Sequence, residues 1–203
     1  MKILVTAFEP FDKEPINPTM MMLERLSSDF GGHEIIKQVL PTTFGESAEI
    51  ALARIAEFEP DAVLCLGQAG GRAAMTLERV AINVNDATIP DNAGAQPVDE
   101  PVVPDGPVAY FSTFPNKAIV SALREAGIPA AISNSAGTYV CNQILYAVLH
   151  FIAENSLPAK AGFMHAPYLP VQVAGKPNMP SMNLDDMVRA LEIAIRVISG
   201  DRI

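Results

Sequence analysis

Short apolar runs alternate with longer amphipathic stretches along the whole chain, and that rhythm leaves few folds open. Lys2–Ala7, Glu34–Leu40, Ala62–Leu66, Pro129–Ser133 and Lys160–His165 read as strands, with Leu77–Val84 a further extended segment. Helices fall between them. One starts at Pro18 behind an Asn17 cap, and others span Ser47–Phe58, Lys117–Ala126, Cys141–Glu154 and Asp185–Ser199. Ile50, Leu52, Ile55 and Phe58 form the expected inner stripe of the second. Successive apolar residues, as in Val63-Leu64-Cys65-Leu66, suit a sheet covered on both faces. The expected fold class is therefore α/β: a three-layer α/β/α sandwich around a twisted, mostly parallel sheet. The alternation runs unbroken, so residues 1–203 are expected to form one domain. At 203 residues and 49% hydrophobic composition, a single core forms without disulfides or metal. Asp86–Pro107 interrupts the rhythm with five prolines, and a loop of that length in a compact domain is functional or mobile.

Charge and motifs remove several function classes. Fourteen basic against 23 acidic residues give a net charge of −9, which opposes nucleic-acid backbones and anionic membranes. The N-terminal run lacks the apolar core and cleavage site of a signal peptide, and no window is apolar enough to span a bilayer. The two cysteines make neither a disulfide scaffold nor a metal pair, so a reducing cytoplasm and no metal site are expected. No Gly-x-Ser-x-Gly elbow or Walker A loop is present. The Gly70-Gly71-Arg72 turn leaves open a small-anion site.

The scarcest reactive groups narrow the search further. Cys65 lies between apolar neighbours and reads as a small buried hydrophobe. Cys141 follows the small polar loop Ser133–Thr138 and opens a helix. Helix N-termini favour a thiolate, and their free N–H groups suit an oxyanion; alternatively, Cys141 merely begins a packed helix. His33 sits in a turn and His150 near a helix C-terminus. His165 ends a strand, where ligands bind in open α/β sheets and where a thiol would find its base. Glu78 stands among apolar residues after the glycine turn, either as an edge-strand charge beside Arg79 or as a partner for an imidazole.

Several segments taken together resemble the pyroglutamyl-peptidase I (pyrrolidone-carboxylate peptidase) family of cysteine peptidases. They are Thr6–Phe11 with Asn17-Pro18-Thr19, Gly67–Asn83, Ser133–Asn142 and Gly162–Pro170. The resemblance implies a phosphorylase/hydrolase-like sandwich and a catalytic set of Cys141 as nucleophile, His165 as acid and base, and Glu78 orienting His165. It implies hydrolysis after an N-terminal pyroglutamyl residue of a peptide substrate, with no cofactor and no metal. It places the lactam ring against Phe8 and Phe11, with Asn17, Thr43, Gln68, Ile89, Tyr139 and Val140 nearby. A homo-oligomer, a tetramer in many members, is also implied. Two positions depart from the family pattern: Ala7 where Gly is common, and Thr88 where Arg is common. The competing readings are a non-peptidase phosphorylase-like enzyme using the Gly70-Gly71-Arg72 turn, and an impaired pyroglutamyl-binding protein.

Overall fold

The computed structural model describes residues 1–201. Nine strands and six helices are present among them: β1 Lys2–Phe8, α1 Pro18–Arg25, β2 Asp29–Phe30, β3 His33–Leu40, α2 Glu46–Phe58, β4 Ala62–Gln68, β5 Met75–Glu78, β6 Val80–Ile82, β7 Ala109–Phe111, α3 Asn116–Glu125, β8 Ala130–Ser133, α4 Val140–Glu154, β9 Lys160–Ala166, α5 Pro170–Val173 and α6 Leu184–Ser199. Several boundaries follow from local chemistry. The Asn17 side chain accepts the Thr19 amide at 3.0 Å, and Pro18 fills the first helical position of α1. Asn183 caps α6 through the Asp186 amide at 2.8 Å, and Gly200, at φ 82°, ends it in the left-handed region.

The main sheet has the order β2-β3-β1-β4-β9-β5-β8. Pairs β1/β3, β1/β4, β4/β9 and β5/β8 are parallel, while β2/β3 and β5/β9 are antiparallel. The expected mostly parallel, phosphorylase/hydrolase-like sheet is therefore wrong: the sheet is mixed, with strands inserted out of sequence order. The cause is a short connection. Only residues 69–74 join β4 to β5, too few for the crossover that a parallel return needs, so β5 runs back against β4. It does so one position away, and β9 later fills the gap between them. Leu77–Val84 is likewise not one strand. It breaks at Arg79 into β5 and β6, and β6 pairs with β7 in a separate two-stranded ribbon.

One face of the sheet packs against α1, α3 and α6 through Ile3, Val5, Leu64, Leu66, Leu77 and Met164, among others. The other packs against α2 and α4 through Leu4, Val63, Cys65, Ala161 and Phe163. Alternate residues of each strand thus belong to different cores, as the two-residue strand period requires. On α2 the buried stripe is Ser47, Ala48, Ala51 and Ile55; Ile50, Leu52 and Phe58 lie only partly buried at its edge. Small residues face inward there because α2 packs closely beside α4.

Candidate active site

His165 is second to last in β9 and faces the α4 side of the sheet, as Phe163 does two residues earlier. In the ladder it stands opposite Gly67 on β4 and Thr76 on β5. Glu78 is two residues beyond Thr76 on the same face of β5, which makes it the diagonal neighbour of His165. The carboxylate Oε1 accepts from His165 Nδ1 at 2.7 Å and from Arg72 Nη1 at 2.7 Å. Glu78 is wholly buried and its Oε2 has no hydrogen-bond partner among the described residues. Ser133, its ladder partner on β8, lies close to it, but the Ser133 hydroxyl donates to the Ser135 carbonyl at 2.9 Å.

Cys141 reaches the same place from α4. A Cβ on Gly67 would lie 2.9 Å from the Cys141 Sγ and 2.6 Å from the Phe163 ring. Gly67 is therefore a gap in β4 that the sulfur occupies, directly across the ladder from His165. No hydrogen bond joins Sγ to the imidazole. The start of α4 is held by the next two residues. Asn142 is fully buried, accepts from the Ile82 amide at 3.0 Å and donates to the Ile82 and Val84 carbonyls. Gln143 accepts from the Gly45 amide at 2.9 Å. The Asn142 and Gln143 amides both turn back onto the Tyr139 carbonyl. Those of Val140 and Cys141 have no protein acceptor among the described residues, so they remain available beside the sulfur.

The electrostatics differ from what the helix N-terminus alone suggests. Although the Cys141 residue is only partly buried, its sulfur is crowded. Burial pushes the thiol up to about 12, the Glu78 charge adds to this, and Arg72 opposes it. His165 lies below the ordinary histidine range, chiefly through burial; Glu78 raises it and Arg72 lowers it further. Burial works to raise Glu78, but the His165 hydrogen bond and charge, with Ser133 and Arg72, outweigh it and hold the carboxyl below its usual value. The resting pair is thus a neutral thiol beside a neutral imidazole, with an ionised carboxylate behind it.

Next to the sulfur is a small cavity of about 10 Å³ lined by Phe8, Phe11, Asn17, Thr42, Gln68, Tyr139, Val140 and Cys141. Six of the eight pocket residues implied by resemblance are in that lining. Thr43 is not: its hydroxyl donates to Glu46 Oε2 at 3.1 Å, and Thr42 takes the place at the wall. Ile89 also stands outside the lining, on the long loop, whose Pro90 carbonyl accepts from the Tyr139 hydroxyl at 3.1 Å. Asn17 is largely committed to structure, accepting from the Thr19 amide and hydroxyl and donating to the Glu9 carbonyl. Gln68 accepts from the Gln172 amide nitrogen at 2.9 Å. Ala7 pairs with Val39 inside β1 at an ordinary extended φ, so Ala is unstrained there. Arg72 and Gly67 escaped the sequence reading as site residues. Both lie in the Gly67–Asn83 segment that resembles the family, but the glycine turn suggested an anion site there and no role in the catalytic set. Among the described residues no cluster of three His, Cys, Asp or Glu side chains could hold a metal ion.

A thiol at a helix start, an imidazole at a strand end and a buried carboxylate on the far nitrogen define a thiol hydrolase site. The family model for pyroglutamyl peptidase matches residues 1–201. A pyrrolidone-carboxylate peptidase of Caldanaerobacter subterraneus subsp. tengcongensis is 56% identical over 98% of each chain. One from Streptococcus pyogenes is 52% identical over 98% of this chain and 92% of that protein. Among solved structures, a mutant pyrrolidone carboxyl peptidase from Pyrococcus furiosus superposes with a TM-score of 0.95 at 44% identity, covering 98% of this chain and 99% of that one. Pyroglutamyl peptidase I from Bacillus amyloliquefaciens gives 0.93 at 40%, covering 100% and 99%. The chain belongs to the pyroglutamyl peptidase family.

Proposed function

We infer that this protein is a cysteine exopeptidase that hydrolyses the bond after an N-terminal pyroglutamyl residue and releases pyroglutamate from peptides. The observation that carries the reading is the meeting of Cys141 and His165 across Gly67, beside a small pocket walled by Phe8, Phe11, Tyr139 and Val140. Pyroglutamate is an uncharged lactam, and a pocket walled largely by apolar side chains, widened to admit the ring, disfavours the charged amine of an ordinary N-terminus.

The neutral imidazole acts first as a base. His165 Nε2 takes the Cys141 proton while Sγ attacks the pyroglutamyl carbonyl carbon. Glu78 accepts the Nδ1–H, which fixes the tautomer and stabilises the imidazolium as it forms. The free amides of Val140 and Cys141 receive the developing oxyanion. The imidazolium then protonates the leaving amine, and the pyroglutamyl group remains on Sγ as a thioester. Water deprotonated by His165 attacks the thioester and restores the thiol. A phosphorylase-like or anion-binding reading loses its cation, because Arg72 donates to Glu78. Thr88 is exposed and outside the pocket lining, so the missing Arg takes nothing from the lining residues.

Incubation with a fluorogenic pyroglutamyl amide under reducing conditions should give turnover, and the matching amide with a free N-terminal glutamyl residue should not. Absence of turnover, or turnover that persists in Cys141→Ala, overturns the reading. The protein is further read as a cytoplasmic homotetramer. The need to keep Cys141 reduced supports the compartment. Exposed Val98, Val108 and Phe111, near the β6/β7 ribbon, offer apolar surface for burial between copies. Light scattering on the eluting protein should give four chain masses; one chain mass removes the oligomer.

A further inference from the structure

We propose that Arg72 is a positioning residue of this site: by donating to Glu78 Oε1 it holds the buried carboxylate charged and aimed at His165 Nδ1. The proposal rests on the reading of Cys141, His165 and Glu78 above. Glu78 has no solvent contact and one oxygen without a hydrogen-bond partner among the described residues, so without a cation it is a buried anion held only by neutral groups, the imidazole N–H and the nearby Ser133. Such an anion is costly, and it relaxes by taking a proton or by turning away. Arg72 removes both escapes. Its Nη1 bonds the same oxygen that His165 uses, and it also donates to the Thr76 hydroxyl, directly across the ladder from His165.

The turn that carries Arg72 is built to deliver it. The Ala69 amide continues the β9 ladder onto the Ala166 carbonyl at 2.9 Å. Gly70 lies on the Tyr168 ring so closely that a Cβ there would sit 2.5 Å from it. Ala69 and Gly70, the two residues that lead into the turn, are therefore seated on the segment that follows His165. The guanidinium remains partly exposed while its target is not, so it reaches the carboxylate from the rim of the site. This gives the Gly70-Gly71-Arg72 turn an internal anion, Glu78, in place of a dissolved one.

The consequence is a charge balance felt by both reacting groups. The groups around Glu78 are His165 on β9, Arg72 on the turn and Cys141 on α4, with uncharged Ser133 facing it from β8; Cys65 on β4 acts on Cys141. Glu78 makes both the imidazole and the thiol harder to deprotonate, and Arg72 acts against it on both. Losing Arg72 lets the carboxylate take a proton or turn from Nδ1, so His165 loses the anion that raises it.

The test compares wild type, Arg72→Gln, Arg72→Lys, Glu78→Gln and the Arg72→Gln/Glu78→Gln double variant. Two readouts are taken against pH: kcat and KM on the pyroglutamyl amide, and the rate of Cys141 alkylation by iodoacetamide. Arg72→Gln should lower kcat roughly 10–100-fold, as loss of a group supporting a reactive side chain does elsewhere, with KM within about two-fold. Its acid limb should move to lower pH, because His165 loses the charged partner that raises it, and alkylation at a fixed neutral pH should slow as the imidazole loses its orientation. Arg72→Lys should recover part of both. In the Glu78→Gln background, Arg72→Gln should add little further loss. An unchanged acid limb and alkylation rate in Arg72→Gln would overturn the proposal, as would an undiminished loss in the double variant. Alkylation needs no substrate, so it still decides the role of Arg72 if the amide is not cleaved at all, a result that would instead count against the peptidase reading.

Discussion

The two cysteines occupy opposite situations around β4: Cys65 lies within the strand, and the Cys141 sulfur packs from α4 against Gly67, two residues farther along it. Cys65 sits opposite Thr6 in the ladder within an apolar core, and burial pushes its thiol up to about 12, opposed by the Thr6 hydroxyl. Burial pushes the Cys141 thiol to the same value. Acidity therefore does not separate them. What separates them is company: Cys141 has His165 across Gly67, two free helix amides beside it and a pocket next to it, and Cys65 has none of these among the described residues. On the proposed reading, a nucleophile here is made by a neighbouring base and free helix amides more than by a thiol that ionises unaided.

The sharpest way to break that contrast is to remove each sulfur in turn. Cys141→Ala should lower kcat/KM on a pyroglutamyl amide by roughly 10⁴-fold or more. Next in size is Glu78→Gln, which keeps the shape but offers His165 the wrong hydrogen-bonding partner; kcat should fall by roughly 10²–10⁴-fold with folding retained. Gly67→Ala drives a methyl into Sγ and the Phe163 ring. It should cost about 1–3 kcal/mol of stability, read by denaturant melts, and lower kcat by roughly 10²-fold through displacement of the sulfur. Cys65→Ser should cost a comparable 1–3 kcal/mol, roughly, through an ill-matched buried hydroxyl, while kcat stays within about two-fold. Loss of activity there would erase the contrast.

The smallest effect is on pH dependence. His165 in the folded chain lies below 6.5, its ordinary value, so it stays a competent base at pH values where a free imidazole is protonated. The acid limb of kcat/KM should accordingly fall below pH 6.5. The same displacement bears on folding. Below pH 6.5 the unfolded imidazole takes a proton that the folded one refuses, so stability is full above that pH and declines as pH drops toward the folded value. Glu78, held below its usual 4.5, adds a second decline beneath that pH. Urea midpoints measured from pH 8 to 4 should show the first loss near 6.5.

Much of this was legible in the sequence, and the gaps have physical causes. The strand and helix positions follow from period and capping, as at Asn17-Pro18 and Gly200. Strand direction does not, because hydrophobic period carries no sign: β5 reads the same whichever way it runs, and only the shortness of residues 69–74 forces it antiparallel. The β6/β7 ribbon and α5 were missed because elements of three or four residues leave no periodic signal. Scarcity and segment resemblance pointed to Cys141, His165 and Glu78, and the fold brings the three together. Arg72 was visible only as a cation after two glycines, since its partner depends on which strands β5 neighbours. Thr42 and Thr43 were indistinguishable until the loop geometry turned one to the pocket and the other to Glu46.

The central claim is that Cys141 carries the pyroglutamyl group during turnover. Acid quenching of the enzyme during reaction with a pyroglutamyl amide, followed by mass spectrometry of its peptides, tests this directly. The account predicts a pyroglutamyl thioester on the peptide containing Cys141 and an unmodified Cys65. Turnover accompanied by an adduct on Cys65, or by one on neither cysteine even when water attack on the thioester is slowed, would contradict it.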